Sequence, residues 1–119
     1  MNTEFQKFFG EFARPGHGSA CEIVKKISIE GIRSADELER FAAACLELKV
    51  YDIAESAAAK AASLSPDCAR LQFLCGIIAA ALGKTASSIA SYEKALAVDP
   101  AFVPALINMS EILLKAGKI

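Results

Sequence analysis

The 119-residue chain carries 13 basic and 14 acidic residues, a net charge of -1, and 54% of its residues are apolar. This balance predicts one soluble globular unit. It also argues against nucleic acid as a partner, because phosphate binding needs a clustered positive face. The longest strongly apolar run, residues 71–82, is too short to cross a bilayer. The first residues include acidic side chains and no uninterrupted apolar core, unlike a signal peptide.

Four cysteines are present, and none of them forms a C-x-x-C pair. Their spacing fits neither a zinc site nor a small disulfide framework, which predicts free thiols in a cytoplasmic protein. Two of them fall at helix positions that should pack into the core, where a cysteine behaves as a small apolar side chain. The four are Cys21, Cys45, Cys68 and Cys75, and the predicted core pair is Cys45 and Cys75.

Phenylalanines dominate the first predicted helix. They recur at positions 5, 8, 9 and 12, the spacing of one helix face, so a helix should span about residues 2–13. Its aromatic side could pack on the following helices as a cap, or it could dock on a membrane or a partner. Packing is favoured, because Glu4 and Glu11 differ from the basic surface of a membrane helix and the end units of repeat arrays are expected to be atypical.

A Pro-Gly-His-Gly break at residues 15–18 separates this helix from a second one, predicted over residues 19–30. Its inward side chains should be Cys21, Val24 and Ile27, with two lysines pointing outward, Lys25 and Lys26. We interpret residues 1–34 as a capping helical hairpin of degenerate sequence.

From Ser34 onward the sequence marks the helix boundaries more clearly. Ser34 and Glu37 form a capping box at the start of a helix that runs to about Leu48. Its partner is predicted over residues 51–63. It ends before Pro66, because the residue before a proline is driven out of helical geometry.

A second helix pair is predicted in residues 69–102, with a turn at Gly83 and a stop at Pro100. A further helix begins near Pro104, whose missing amide costs little in a first turn. The turn glycines Gly83 and Gly117 are 34 residues apart, and so are the prolines at 66 and 100. This is the period of a helix-turn-helix solenoid repeat.

The residues between these landmarks also agree from copy to copy. Small side chains fall where two helices must approach closely. The central copy has Gln72, Cys75, Gly76, Ala79, Ser88, Tyr92 and Pro100 at the pattern positions. The preceding copy has Leu38, Phe41, Ala42, Cys45, Ala54, Ala58 and Pro66, and the following one has Leu106, Met109, Ser110, Leu113 and Gly117. Over residues 35–119 the sequence resembles the tetratricopeptide repeat (TPR) family.

The resemblance implies an all-α fold, a right-handed α-solenoid of stacked antiparallel helix pairs. Residues 35–68 would form a TPR-like repeat and residues 69–102 a second repeat. Residues 103–119 would supply the first helix of a further repeat, which is either truncated or an interface helix.

No catalytic site is predicted. Gly83-Lys84-Thr85 imitates the end of a phosphate-binding loop, but that motif needs a glycine at position 78, which is Ile78. The single histidine, His17, should be a solvated loop residue. We expect a protein that is not an enzyme and that binds no metal or cofactor.

The resemblance implies instead that exposed positions of the first helices line a concave groove for a protein or peptide partner. The predicted partner-binding residues are Leu46, Arg70, Phe73, Ile77, Ile107, Glu111 and Leu114, with an acidic edge at Asp36, Glu39 and Glu47. Family members that grip a chaperone's carboxylate use Lys and Asn here, whereas this chain has Glu39, Ala43 and Ile77. An apolar peptide or helix with basic residues toward one end is the expected ligand. Aspartate at Phe73 and Ile77 should then abolish binding without loss of helix.

The last predicted helix keeps an apolar flank, Leu106, Met109 and Leu113, that one preceding hairpin cannot bury completely. The flank would either pair two copies as a homodimer or contact further chain. We therefore predict a scaffold or adaptor that binds other proteins. The alternatives are the substrate-recruiting region of a larger enzyme, such as a glycosyltransferase or methyltransferase, and a secretion-type chaperone that holds apolar client segments.

Overall fold

The computed structural model describes residues 3–115 and Gly117. These residues form seven α-helices and, in the described part of the chain, no β-strand. The helices are α1 (Thr3–Phe12), α2 (Ala20–Ile23), α3 (Ala35–Glu47), α4 (Tyr51–Leu64), α5 (Ala69–Ala81), α6 (Thr85–Val98) and α7 (Val103–Lys115). Helices α3 and α4 pack as one antiparallel hairpin and α5 and α6 as another, with α4 against α5. The molecule is elongated, 46 × 27 × 20 Å, as expected for hairpins stacked in a row.

The 34-residue period is visible in the backbone. Lys49, Gly83 and Gly117 each follow the end of a first helix, and their φ angles of 65°, 78° and 71° are all left-handed. This conformation closes a helix C-terminus and favours glycine, because a Cβ is crowded there. At the helix start, the Ser34 hydroxyl accepts a hydrogen bond from the Glu37 amide at 3.4 Å, as the capping box predicts.

The same period governs burial in α4, in α6 and in residues 20–27 of the N-terminal segment. Nine positions, three in each of these stretches, are at most 8% exposed, and they face the neighbouring helices. They are Ala20, Val24 and Ile27; Ala54, Ala58 and Ala61; and Ser88, Tyr92 and Ala95. The small residues that the sequence places at close helix contacts are therefore buried in α3 to α6, whereas Ser110 on α7 was predicted to lie at such a contact and is exposed.

The second helix of the N-terminal segment is shorter than predicted. Helix α2 ends at Ile23, and the chain continues in two 3₁₀ turns, Val24–Lys26 and Ile29–Gly31. β-Branched residues crowd this stretch and favour extended backbone, which Ile27 adopts. The Lys60 ammonium group on α4 donates to the carbonyl oxygens of Ile29 and Glu30 at 3.0 and 3.2 Å, which replaces helical hydrogen bonds.

Exposure in this segment follows the prediction with one correction. Val24 and Ile27 are buried, and both Lys25 and Lys26 are exposed, as expected. Cys21 was predicted to point inward and is exposed. The prediction fails there because it assumed a continuous helix, and the single turn of α2 directs Ala20 inward instead.

The aromatic side of α1 lies inside the fold. Phe8 is fully buried, and its ring lies 5.0 Å from that of Phe41 on α3, in an edge-to-face arrangement. Phe5 is 5% exposed and lies 5.7 Å from the same ring. The Arg40 guanidinium covers Phe9 at 4.7 Å, a cation–π contact. Helix α1 is thus joined to α3 through phenylalanine side chains.

The turn after α1 is held by one carboxylate. Glu11 accepts hydrogen bonds from the Ser19 hydroxyl at 2.6 Å and from Arg14 at 3.0 Å. These bonds lower the pKa of Glu11. His17 is not a freely solvated residue: its Nδ1 lies 2.8 Å from the Phe12 carbonyl oxygen and its ring stacks on Phe12 at 4.5 Å. A left-handed φ of 65° folds His17 back onto α1, which local sequence reasoning missed.

Candidate functional site

The candidate binding surface is formed by α3, α5 and α7, the first helices of the three copies. We call it the first-helix face, and it comprises positions 36, 39, 43, 46 and 47 with their equivalents one and two periods later. An ion pair connects two of its helices, α3 and α5. Arg70 on α5 donates to both carboxylate oxygens of Glu39, one from Nε and the other from a terminal nitrogen, which lies 2.9 Å from Oε1. This bidentate geometry is the preferred one for arginine and carboxylate. It raises the pKa of Arg70, so the guanidinium stays charged.

Helix α7 presents the most exposed apolar part of this face. Ile107 is 52% exposed and Leu114 is 59% exposed, and Glu111 lies between them on the same helix face. Val103, one turn before Ile107, is 54% exposed. Large apolar side chains with such exposure, grouped along one helix, are typical of a binding surface.

Phe73 and Ile77 are less open on the first-helix face than α7 is. Both are half-buried and belong to a cluster that joins α5, α6 and α7. The Phe73 ring lies 5.3 Å from that of Phe102, at the start of α7, and 5.8 Å from that of Tyr92 on α6. Aspartate at these two positions would therefore weaken the fold, contrary to the expectation that it would leave the helices intact.

The α3 part of the face is mainly polar. Leu46 is half-buried against the larger core cluster of the molecule. Asp36 and Glu47 are exposed, and neither forms a salt bridge within the part of the chain that the structure describes. Of the three acids on the predicted edge, Glu39 alone is neutralised by a cation, Arg70.

The predicted apolar flank of α7 is partly used inside the molecule. Met109 packs into the cluster of Phe73 and Tyr92, and Leu113 is half-buried. Leu106 remains 41% exposed. The structure thus leaves Leu106 as the open part of this flank, and the exposed Val103 lies one turn before it on α7.

The α5–α6 contact beneath the face is unusually close. A Cβ atom built on Gly76 would lie 2.5 Å from the Cε1 atom of the Tyr92 ring, closer than real Cβ contacts. The Ser88 hydroxyl donates to the Gly76 carbonyl oxygen at 2.9 Å, and Tyr92 and Ser88 are at most 1% exposed. Asn108 on α7 reaches the Tyr92 hydroxyl at 3.5 Å. Gly76 and Ser88 therefore set how closely α6 packs against α5, which carries the middle of the first-helix face.

A second concave feature, which sequence reasoning missed, lies between α4 and α6. We call it the α4–α6 groove. Its volume is about 410 Å³, α5 forms its floor, and its walls carry mainly alanine and serine. The lining residues are Glu55, Ala58, Ala59, Ala62, Ser63, Gln72, Cys75, Ile78, Ala79, Ser87, Ser91 and Lys94. The alanines of α4 are the only sequence feature that could have indicated this groove, but alanine runs are equally typical of tight helix packing.

The thiols of Cys45 and Cys75 are not activated. Burial raises the pKa of Cys45 to about 12, and burial also raises that of Cys75. Both groups are therefore protonated at neutral pH, and a protonated thiol is a poor nucleophile. Cys45 is buried as predicted, whereas Cys75 is half-buried at the floor of the α4–α6 groove. Across residues 3–115 and Gly117, no three His, Cys, Asp or Glu side chains are grouped closely enough to hold a metal ion.

None of the helices described here is long and apolar enough to cross a membrane. No protein-family model matches the sequence, and no curated protein sequence is significantly similar to it.

Solved structures provide the informative comparison. Two crystal structures of MamA superpose on 98% of this chain with TM-scores of 0.78 and 0.76, each at 20% sequence identity. The chain spans 68% and 63% of those two proteins. The first TPR of Spaghetti (RPAP3), solved bound to the HSP90 peptide SRMEEVD, superposes on 97% of this chain with a TM-score of 0.73 at 19% identity. The chain spans 91% of that domain. These superpositions, together with the stacked helical hairpins, show that the chain has the all-α solenoid fold of tetratricopeptide repeat proteins.

Proposed function

We propose that the protein is a non-catalytic interaction module that binds a peptide or helix of a partner protein on the first-helix face. The observation that supports this most directly is the exposed apolar row on α7, where Ile107 and Leu114 are each more than half exposed. Solenoids of helical hairpins bind extended segments on the surface that their first helices form. We further propose that residues 1–34 act as the cap of this solenoid, and that residues 35–68 and 69–102 are its repeats.

The charge of the face indicates which ligand it would accept. The RPAP3 domain was solved with SRMEEVD, a peptide that carries three acidic residues. In the present chain Asp36 and Glu47 are acids without a salt-bridge partner in the described residues, and Arg70 is already engaged by Glu39. A strongly acidic peptide would meet repulsion at α3. We therefore propose a ligand with apolar residues over α7 and basic residues toward α3.

The α7 row can be tested with a peptide obtained from a random dodecapeptide library displayed on phage and selected against the wild-type protein. The double variant Ile107→Asp/Leu114→Asp should keep the wild-type circular dichroism and melting temperature, because both side chains are exposed. It should bind the selected peptide at least about tenfold more weakly, since burial of an apolar side chain contributes about 1.5–3 kcal/mol.

The matched variant is Phe73→Asp, which should lower the free energy of unfolding by about 2 kcal/mol because a charge enters the α5–α6–α7 cluster. If the double α7 variant binds the selected peptide as tightly as the wild type, the proposed site is wrong.

The open flank of α7 has a second proposed role. Val103 and Leu106 are 54% and 41% exposed, and we propose that a second copy of the chain covers them in a homodimer. Light scattering over a range of concentrations should then give a dimer mass for the wild type and a monomer mass for Leu106→Glu. A monomer mass for the wild type at all concentrations would contradict the homodimer. A substrate-recruiting region of an enzyme, or a secretion-type chaperone, would use the same exposed residues.

A further inference from the structure

The lysine of the α4–α6 groove is used differently from the lysine one period earlier in the sequence. In the earlier position Lys60 extends from α4 and donates to the carbonyl oxygens of Ile29 and Glu30. Lys94 is the residue 34 positions later and lines the α4–α6 groove. Within the described part of the chain, Lys94 has neither a hydrogen-bond acceptor nor a salt-bridge partner, and it is exposed. The α4–α6 groove therefore has a cation available to a ligand.

The acid on the opposite wall is already neutralised. Glu55 on α4 lines the same groove, and its Oε2 atom lies 2.8 Å from the Lys84 ammonium group. Lys94 is close enough to the Cys75 thiol at the groove floor to oppose part of the pKa rise that burial causes there. The charge that remains unbalanced in the groove is thus the positive charge of Lys94.

The groove is large enough to take a side chain of a partner. A volume of about 410 Å³ lies in the range of ligand-binding pockets. Ala58 and Ala62 form one wall, and Ile78 and Ala79 form part of the floor, so the middle of the groove is apolar. Ser87 and Ser91 line the α6 wall, and a serine hydroxyl can hydrogen-bond to a peptide backbone.

We propose that the α4–α6 groove is a second docking site, separate from the first-helix face. Its occupant is an acidic segment of a partner protein that inserts one leucine-sized apolar side chain between α4 and α6 and places a carboxylate on Lys94. Charge complementarity distinguishes the two surfaces. The acids at Asp36 and Glu47 favour a basic ligand on the first-helix face, whereas Lys94 favours an acidic one in the groove.

Two dodecapeptides with identical leucine positions serve as probes, one with glutamate and the other with lysine at every charged position. Each is titrated to millimolar concentration into the ¹⁵N-labelled full chain, and backbone amide shifts are followed by NMR. The acidic peptide should shift the amides of Ala59, Ala62, Ser87 and Ser91. The basic peptide should leave these amides unchanged, and its effect on α3 and α7 tests the proposed function independently.

Three variants test the groove directly. Lys94→Glu should weaken binding of the acidic peptide about fivefold or more, as expected for reversal of one partly exposed ion pair. Ser91→Leu should block the groove, with no change in helical content. Lys25→Glu reverses an exposed charge on the N-terminal segment and should not alter binding. The proposal is overturned if the acidic peptide does not shift the groove amides, if Lys94→Glu binds it as the wild type does, or if both peptides shift the groove equally.

Discussion

Phe8→Ala should lower the free energy of unfolding by about 3–5 kcal/mol, the usual cost of removing a fully buried phenylalanine. Phe8 has no exposed surface and contacts Phe9, Phe12 and Phe41 through its ring. The loss should appear in the main urea unfolding transition, because Phe41 belongs to the core that α3 shares with α4 and α5. In thermal unfolding this corresponds to a decrease of at least about 10 °C in melting temperature.

The neighbouring phenylalanine provides a matched control. Phe9 lies on the same helix, but it is half-buried and its ring is covered by the exposed Arg40. Phe9→Ala should therefore cost less, about 1–2 kcal/mol, from the lost cation–π contact, the edge-to-face contacts with Phe5 and Phe8, and partial burial. If Phe8→Ala does not fold well enough for measurement, Phe8→Leu retains most of the volume and should give a smaller loss in the same transition. Similar stabilities for Phe8→Ala and Phe9→Ala would show that α1 is not part of the core.

The period of the sequence was sufficient to predict most of the fold. Pro66, Pro100 and the turn at Gly83 mark the boundaries of two hairpins, and the helices end within one or two residues of those marks. The reason is physical: a helix stops before proline and closes with a left-handed residue, and neither requirement depends on distant contacts. The N-terminal segment lacks these marks after residue 19, and there the predicted second helix was too long.

The candidate site was harder to predict. Helix α5 is apolar on nearly every side, with large residues such as Phe73 and Ile78 on one side and small ones such as Gly76 and Ala79 on the other. Periodicity can identify a buried face only when the other face is polar, so the sequence could not show that Phe73 and Ile77 pack against α6 and α7. Their burial depends on where Phe102 and the following helix lie, which is a tertiary property.

The α4–α6 groove could not be predicted from the sequence either. Alanines at 58, 59 and 62 are compatible with two structures, a tight helix contact or an open groove, and the sequence does not distinguish them. Which one results depends on the distance between α4 and α6, and α5 sets that distance by packing between them. Lys94 repeats the position of Lys60 in the sequence, yet it lacks the acceptors that Lys60 finds in the 3₁₀ turns.

The second large effect is expected at Gly76, where a methyl group would lie 2.5 Å from the Tyr92 ring. In the interior of an exposed helix, Gly→Ala normally stabilises by up to about 1 kcal/mol, because glycine loses more backbone entropy on folding. At Gly76 the new Cβ must move a buried aromatic ring that has at most 1% exposure, so Gly76→Ala should instead destabilise the protein by about 1–3 kcal/mol.

Gly10 is the control for this substitution. It lies inside α1, is exposed, and has no atom within 4 Å of a Cβ built on it. Gly10→Ala should therefore stabilise by about 0.5–1 kcal/mol in the same urea titration. The two alanine variants change the same atoms, so the difference between them isolates the contact with Tyr92.

A double-mutant cycle tests whether the difference in stability between the two alanine variants comes from the Tyr92 ring. Tyr92→Ala should be strongly destabilising in the wild-type background, because it removes a buried aromatic side chain. In the Gly76→Ala background it should cost at least about 1 kcal/mol less, since the new methyl group then occupies part of the vacated space. If Gly76→Ala stabilises as Gly10→Ala does, α5 and α6 are further apart than the structure shows. Gly76 would then not be the residue that sets the α5–α6 distance, and the position of the first-helix face would depend on other contacts.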